Sequence, residues 1–364
     1  MHPMYLQRTF LYLLTVCILV SFLLGVQIFL SPRFLNHFIF QVKQPLRYIE
    51  YWRSGYRVQN IQCLYSQDND KSFAYKDLTR LKVRPNSIFF LETSCKHEAG
   101  VDLSPRQACS IESAALMNPH RQLYVVIISS VGNQTRSPVI QRLYEYRNVQ
   151  IVQVDLVHLF QNTPLYRFYI EDNILTSLWP LSHMSDLLRY VTLYKYGGTY
   201  LDLDFVVIKS LEHLHNYAGA ESSVAVAAGV IHLDHGHWLS SAAVSELRSH
   251  FKATEWGANG PGVLTRLLKN ECEHQSYSET LTRCKNFTIY PPSYFYPIHW
   301  PHWADYFNET AAAAVMTKLE PSLAVHVWNS FAKQTPVQLK SEQPYAQLAR
   351  RFCPRISDLA GDTF

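Results

Sequence analysis

Charge is scarce in this chain. Asp, Glu, Lys and Arg together supply 17% of its 364 residues. No run of Lys and Arg occurs, and the formal net charge is only +4. A nucleic-acid-binding module, which needs a dense basic face, is excluded. Internal repeats are missing too, and low complexity is confined to Ala311–Ala314. Hydrophobic residues make up 48% of the chain, which points to a folded protein with a substantial core and excludes general disorder. Aromatic residues, at 13%, suit flat sugar-like or lipid-edge surfaces as well as an ordinary core.

Long apolar runs are also few. The one that stands out is Thr9–Leu30, 22 residues without a charge. At helical rise it covers roughly 33 Å, enough to span a bilayer. A cleaved signal peptide would have a shorter apolar stretch ending in small residues. Here Ser31-Pro32-Arg33 follows, so the run reads as an uncleaved signal-anchor. Flanking charge does not orient it, because Arg8 precedes it and Arg33, Lys43 and Arg47 follow. Two downstream features favour a lumenal bulk. Sequons for N-glycosylation stand at Asn133, Asn286 and Asn308. Six cysteines also follow the span, an even set that pairs fully in an oxidising compartment. Short loops favour Cys95–Cys109 and Cys272–Cys284, leaving Cys63 with Cys353. The expected organisation is a tail at 1–8, a transmembrane anchor at 9–30, a stem at 31–85 and a lumenal domain at 86–364.

Within that domain, short apolar runs alternate with helical segments. "SIFFLET" (Ser87–Thr93), "LYVVIIS" (Leu123–Ser129) and "VQIVQVDL" (Val149–Leu156) read as buried strands, and Cys109–His120 as a helix. This pattern predicts an α/β fold with a mostly parallel sheet flanked by helices. Ligands of such sheets sit at the carboxyl ends of the strands, which directs attention to Glu92 and Thr93.

The segment "SDLLRYVTLYKYGGTYLDLDF" carries the chemistry. Ser185 reads as the cap of a helix that ends at Gly197-Gly198. A strand over Thr199–Ile208 follows, in which Asp202 and Asp204 share one face and Leu203 turns inward. Two carboxylates on one apolar strand repel each other unless a cation neutralises them, and a hard divalent metal is the natural partner. The tripeptide alone says little: Asp68-Asn69-Asp70 has the same form inside a polar turn. Asp186 and Arg189, three residues apart on one helix, form an intrahelical pair at least.

Several stretches together, "FLETSC", "ACSIESAALMNPH", the segment above, "NGPGVLTRLL", "YPIHWPHWADYF" and "LAVHVWNSF", resemble the α-1,4-galactosyltransferase and α-1,4-N-acetylglucosaminyltransferase family. The resemblance runs from about Asn86 to Trp328. The stem and the tail after Phe331 match nothing in it. It implies a GT-A-type nucleotide-sugar-binding fold, a UDP-sugar donor, Mn²⁺, retention of anomeric configuration and a Golgi membrane location. By the same resemblance Asp186 and Arg189 bind the donor, Glu92 and Thr93 lie near the nucleotide, and Gly260-Pro261-Gly262 lines the acceptor side. Asp204 is expected as the direct metal ligand, with Asp202 reaching the donor sugar or ribose and the metal through water.

Two aspartates do not surround an octahedral ion, so a further ligand has to come from elsewhere. His326, in an apolar late stretch, is the expected one, because imidazole suits Mn²⁺ better than Mg²⁺. The other reading is a core histidine bonded to backbone. Trp300 and Trp303 offer rings for sugar stacking or for core packing, and Trp300 is placed on the acceptor side. The group His232, Asp234, His235 and His237 fits no standard zinc spacing and reads as solvated loop histidines.

The expected function is transfer of Gal or GalNAc from its UDP carrier to the 4-hydroxyl of a terminal sugar on a glycolipid. A membrane-anchored, inactive lectin on the same fold is the alternative, though such a protein has no physical need of the aspartate pair. A metal-dependent phosphohydrolase would need a second dense acidic or histidine cluster, and the sequence holds no convincing one.

Overall fold

The computed structural model describes residues 74–132, 137–171, 173–272, 276–277 and 280–364. All belong to one unit that spans Tyr56–Phe364. The expected tail and anchor, most of the stem, Cys17, Cys63 and the Asn133 sequon lie outside the described residues. Among the described residues no helix is long and apolar enough to cross a membrane.

Ten strands are present among them: β1 (Ile88–Glu92), β2 (Leu123–Ile127), β3 (Val149–Gln153), β4 (Gly198–Leu201), β5 (Phe205–Val207), β6 (Tyr217–Ala220), β7 (Val226–Leu233), β8 (Thr282–Cys284), β9 (Phe287–Tyr290) and β10 (Ala324–His326). Eight form one sheet in the order β3-β2-β1-β4-β7-β6-β9-β8, and β5 pairs with β10 apart from it. β3, β2, β1 and β4 are mutually parallel, β7 runs against β4 and β6, and β9 is again parallel to β6. The mostly parallel sheet expected from the alternating pattern is therefore found. β1 and β2 are buried at every position, as strands covered on both faces must be.

Six helices bear on the site and its support: α1 (Pro105–Met117), α2 (Pro180–Tyr196), α3 (Trp238–His250), α4 (Pro261–Cys272), α5 (Pro344–Phe352) and α6 (Pro354–Ala360). α1 begins ahead of the expected Cys109, because Ser104 and Gln107 close a capping box and Pro105 occupies the first turn. α2 likewise starts earlier than expected. Pro180 opens it, and Ser185 lies in its interior, where its Oγ accepts from Arg189 instead of capping. The sheet also gains an edge contact before Asn86: the Gln153 N–H donates to Lys76 O at 3.0 Å, and Asp77 bridges Gln153 in parallel.

The two glycines after α2 have separate duties. Gly197 ends the helix at φ 64°, and Gly198 continues at φ 93°. A Cβ on Gly198 would stand 2.4 Å from Ser87 O. Only glycine lets the chain leave the helix and lie directly against the start of β1, where the Thr199 N–H donates to Ser87 O at 2.8 Å.

Two cysteine pairings depart from the short-loop expectation. Cys109 bonds Cys353, not Cys95, so Cys63–Cys353 is also overturned. The reason is geometric. α1 presents Cys109 to the C-terminal helices, and the Glu112 carboxylate caps α6 by accepting from Arg355 N at 3.0 Å and Ile356 N at 2.8 Å. Cys95 is disulfide-bonded as well. Cys272–Cys284 forms as expected, tying the end of α4 to β8. Asn286, in the β8–β9 turn, and Asn308 are both exposed.

Candidate active site

The predicted strand over Thr199–Ile208 is broken. β4 ends at Leu201, Asp202–Asp204 forms a turn, and β5 leaves the main sheet to pair antiparallel with β10. The aspartates are therefore held at a strand end, not in a strand interior. The Asp202 N–H donates to Gly229 O at 2.8 Å, and Asp204 O accepts from Val327 N at 2.9 Å. Leu203 is half-buried against the core and also lines the cleft.

β10 pairs His326 with Phe205, next in sequence to Asp204. His326 Nε2 lies 3.0 Å from Asp204 Oδ1 and 3.7 Å from Asp202 Oδ2. Each of the three residues offers a ligand atom, all within 4.8 Å of one another. Burial lowers the His326 pKa, but Asp204 and Asp202 outweigh it and raise it to about 9. Two carboxylates and an imidazole converging on one point fit a divalent first-row metal such as Mn²⁺. Beside them, Asn329 Oδ1 is buried without a hydrogen-bond partner while the Asn329 N–H donates to Asp204 Oδ2 at 3.2 Å. An orphaned acceptor at this spot also fits a cation.

Behind Asp202 stands a buried charge network. Arg189 Nη2 pairs with Asp186 Oδ1 at 2.9 Å, and Nη1 reaches Asp202 Oδ1 at 3.3 Å and donates to Ala228 O at 2.7 Å. The guanidinium lies over the Tyr200 ring, whose hydroxyl donates to Asp202 Oδ1. Burial pushes the Asp202 carboxyl up, but Arg189 and His326 pull it below the usual range. Asp186 goes the other way: burial raises it to about 7 against the pull of Arg189. Asp186 packs against the backbone of Gly260, where a Cβ would stand 2.3 Å from Oδ1. Gly229 makes room in the same manner, since a Cβ there would meet Asp202 Oδ2 at 2.6 Å.

A cleft of about 470 Å³ opens over this cluster, lined by Leu91, Ser104, Gln107, Ser185, Tyr200, Asp202, Asp204, Asn329 and Lys333 among others. Asp202 and Asp204 thus face it, whereas Asp186 and Arg189 lie beneath. Glu92 is turned under the wall, accepting from Ser94 N at 2.9 Å and from the Gln107 amide. Thr93 Oγ1 donates to Leu181 O at 3.4 Å. Gly260-Pro261-Gly262 starts α4 beside Asp186, and Trp300 is exposed. A larger hollow, about 600 Å³, lies at the amino ends of β2 and β3 between Arg84, His120, Gln122, Arg147 and Asn148, and gathers none of the predicted residues.

His215, His232 and Asp234 also approach one another. His232 is not a solvated loop residue. It is buried in β7, accepts from Asn216 N through Nδ1 at 3.0 Å and meets Asn86 Oδ1 through Nε2 at 2.9 Å. With both nitrogens engaged it has no lone pair for a metal. His237 is likewise buried and caps α3.

Sequence reasoning missed Tyr200, Gly229 and Asn329. Tyr200 and Asn329 stand inside quoted motifs, where their nearness to Asp202 and His326 was the available signal. For Gly229, a glycine within a strongly apolar strand was the only mark.

Residues 104–224 match a glycosyltransferase sugar-binding region containing DXD motif, and residues 232–360 match an alpha 1,4-glycosyltransferase conserved region. Lactosylceramide 4-alpha-galactosyltransferase of Rattus norvegicus is 35% identical, over 74% of this chain and 74% of its own. The Homo sapiens protein of that name is 33% identical over 74% and 76%. Alpha-1,4-N-acetylglucosaminyltransferase of Homo sapiens is 27% identical over 80% and 85%.

Proposed function

Because the chain belongs to the α-1,4-glycosyltransferase family and is a glycosyltransferase, we propose that it moves Gal or GalNAc from a UDP-sugar to the 4-hydroxyl of a terminal sugar on a glycosphingolipid. The anomeric configuration is retained, and the reaction takes place at the Golgi membrane with the catalytic domain in the lumen. The observation that carries this reading is the convergence of Asp202, Asp204 and His326 at the floor of the cleft.

In this reading those three residues hold Mn²⁺, which supplies charge neutralisation at the diphosphate leaving group. Lys333 adds a further cation at the cleft wall. Arg189 and Tyr200 are positioning residues: they fix Asp202 through Oδ1 and leave Oδ2 facing His326. Asp186 Oδ1 accepts from the other arm of Arg189 at 2.9 Å and so helps to hold the guanidinium against Asp202. Ser185 and Gln107, on the lining, are placed to meet donor hydroxyls. The activities for which these relatives are named supply the Gal and N-acetylglucosamine donors and the lactosylceramide acceptor as first candidates.

The test uses the full chain in detergent with Mn²⁺ and a panel of UDP-Gal, UDP-GalNAc and UDP-GlcNAc, with lactosylceramide as acceptor. UDP release and an α-linked product, read by the anomeric proton coupling, are expected. A β-linked product, or no turnover with any donor, would overturn the reading.

A further inference from the structure

A line of rings leads from the metal-ligand cluster to the surface. The His326 and Trp328 rings are 4.2 Å apart, Trp328 and Phe331 6.5 Å, and Phe331 stacks on Trp300 at 5.8 Å with planes inclined by 19°. The inner two are buried, but Trp300 and Phe331 are 44% and 45% exposed. The Trp328 indole N–H donates to Ile298 O at 2.8 Å, which pins the backbone just ahead of Trp300 beside the ladder. Leaving so much aromatic surface in water forfeits burial, so this paired platform asks for an occupant.

Polar groups border it. The His299 ring lies 5.9 Å from that of Trp300, and its Nε2 is 3.7 Å from Glu221 Oε1. Glu221 directly follows β6, whose Gly219 lies against Tyr296, and the Tyr296 ring is 5.5 Å from that of His326. On the other side, Phe331 stands between Ser330 and Lys333, both of which line the cleft.

We propose that Trp300, Phe331, Glu221 and His299 form the acceptor subsite, with the acceptor's terminal hexose lying C–H face down on the Trp300 indole and its hydroxyls turned to Glu221 and His299. The proposal rests on the glycosyltransferase reading above and gives the acceptor its place. The electron-rich face of an indole attracts the weakly positive C–H bonds on one side of a pyranose ring. A carboxylate accepts from hydroxyls, and an imidazole either donates or accepts. A lipid chain would want a broad face free of charge, whereas this one is two rings wide and edged by Glu221, His299 and Lys333.

The test measures Michaelis constants for lactosylceramide and for the donor separately, in the full chain. Trp300→Leu and Glu221→Gln are expected to raise the acceptor KM about tenfold or more while the donor KM moves less than about twofold. Trp300→Phe, which keeps a ring, is expected to stay within about threefold of the wild type. Leu116→Ala, at a 38% exposed leucine in the hollow at the amino ends of β2 and β3, is the control and is expected to behave as wild type. An unchanged acceptor KM in Trp300→Leu would overturn the sugar platform, because leucine preserves apolar contact and removes only the ring face. Wild-type turnover with unchanged KM in every variant defeats the subsite alone, whereas absence of wild-type turnover defeats the function and the subsite together.

Discussion

His326 Nε2 stands 3.0 Å from Asp204 Oδ1, although Asp204 lies in the turn just before β5 and His326 closes β10, more than a hundred residues later. The contact follows from one backbone pairing, His326 with Phe205. In the proposed reading, that register is what brings the third ligand to the aspartates.

His326→Ala is expected to weaken Mn²⁺ binding in the presence of UDP by on the order of 100-fold, and Asp204→Ala by at least as much. Titration calorimetry measures both. Equal Mn²⁺ affinity in wild type and His326→Ala would remove the histidine from the site.

Tyr200→Phe takes one donor from Asp202 and leaves the ring over Arg189 in place. A loss of about tenfold in kcat/KM is expected, with thermal stability near wild type. Arg189→Met goes further, since it strands Asp186 and Asp202 without their buried counter-charge. It is expected to destabilise the fold by about 3–5 kcal/mol, visible as a lowered Tm.

The buried histidines make stability depend on pH in a definite direction. Burial lowers His183 to about 4 and His232 to about 3, below the ordinary value of 6.5. The unfolded chain therefore takes up protons near pH 6.5 that the folded chain refuses, and stability falls as the pH drops from there toward 4. Asp186 and Glu112, both raised by burial, act in the opposite sense. The variant His183→Asn isolates one contribution, and its amide oxygen can still accept from Ser177. The slope of unfolding free energy against pH between about 4.5 and 6 should shrink by about 1 kcal/mol per pH unit. An unchanged slope would mean that His183 titrates normally in the folded state.

Cys353→Ser should cost more stability than Cys284→Ser. The bridges close sequence separations of 244 and 12 residues. In the chain-entropy account these are worth about 5.5 and about 3 kcal/mol. Non-reducing peptide mapping that found Cys95 joined to Cys109 would contradict the arrangement.

Much of the fold and the site is legible in the sequence. β1 and β2 announce themselves because strands buried on both faces are nearly continuous apolar runs, and β3 by the β-branched Val149, Ile151 and Val152 between its glutamines. Gly197 and Gly198 announce the tight helix-to-strand passage because no other residue tolerates it. The approach of His326 to the aspartates is expected from its apolar late stretch, from donor chemistry and from the family resemblance together. The break at Asp202 is not, because the alternation Leu201–Phe205 runs straight into the apolar Val206-Val207, and what ends β4 is the departure of β5 toward a distant partner. Cys109 misleads for a related reason. Short spacing favours Cys95, but the face of α1 that carries Cys109 is decided by packing against α5 and α6. Tyr200 and Asn329 have local sequences that fit ordinary core and loop positions, and their part in the site comes only from where Asp202 and Asp204 lie.

The β5–β10 pairing also orders events in time. Ribosomes deliver Asp202 and Asp204 well before residues 324–326, so the carboxylates exist first as an unmatched pair. The third ligand arrives only when a late segment is threaded back across the domain, a long-range closure of the kind that folds slowly. A polypeptide interrupted just before Ala324 would still own the aspartate turn, the Arg189 network and the eight-stranded sheet, yet would lack one side of the proposed metal cradle. In the proposed reading, competence toward a nucleotide sugar therefore waits on that late pairing.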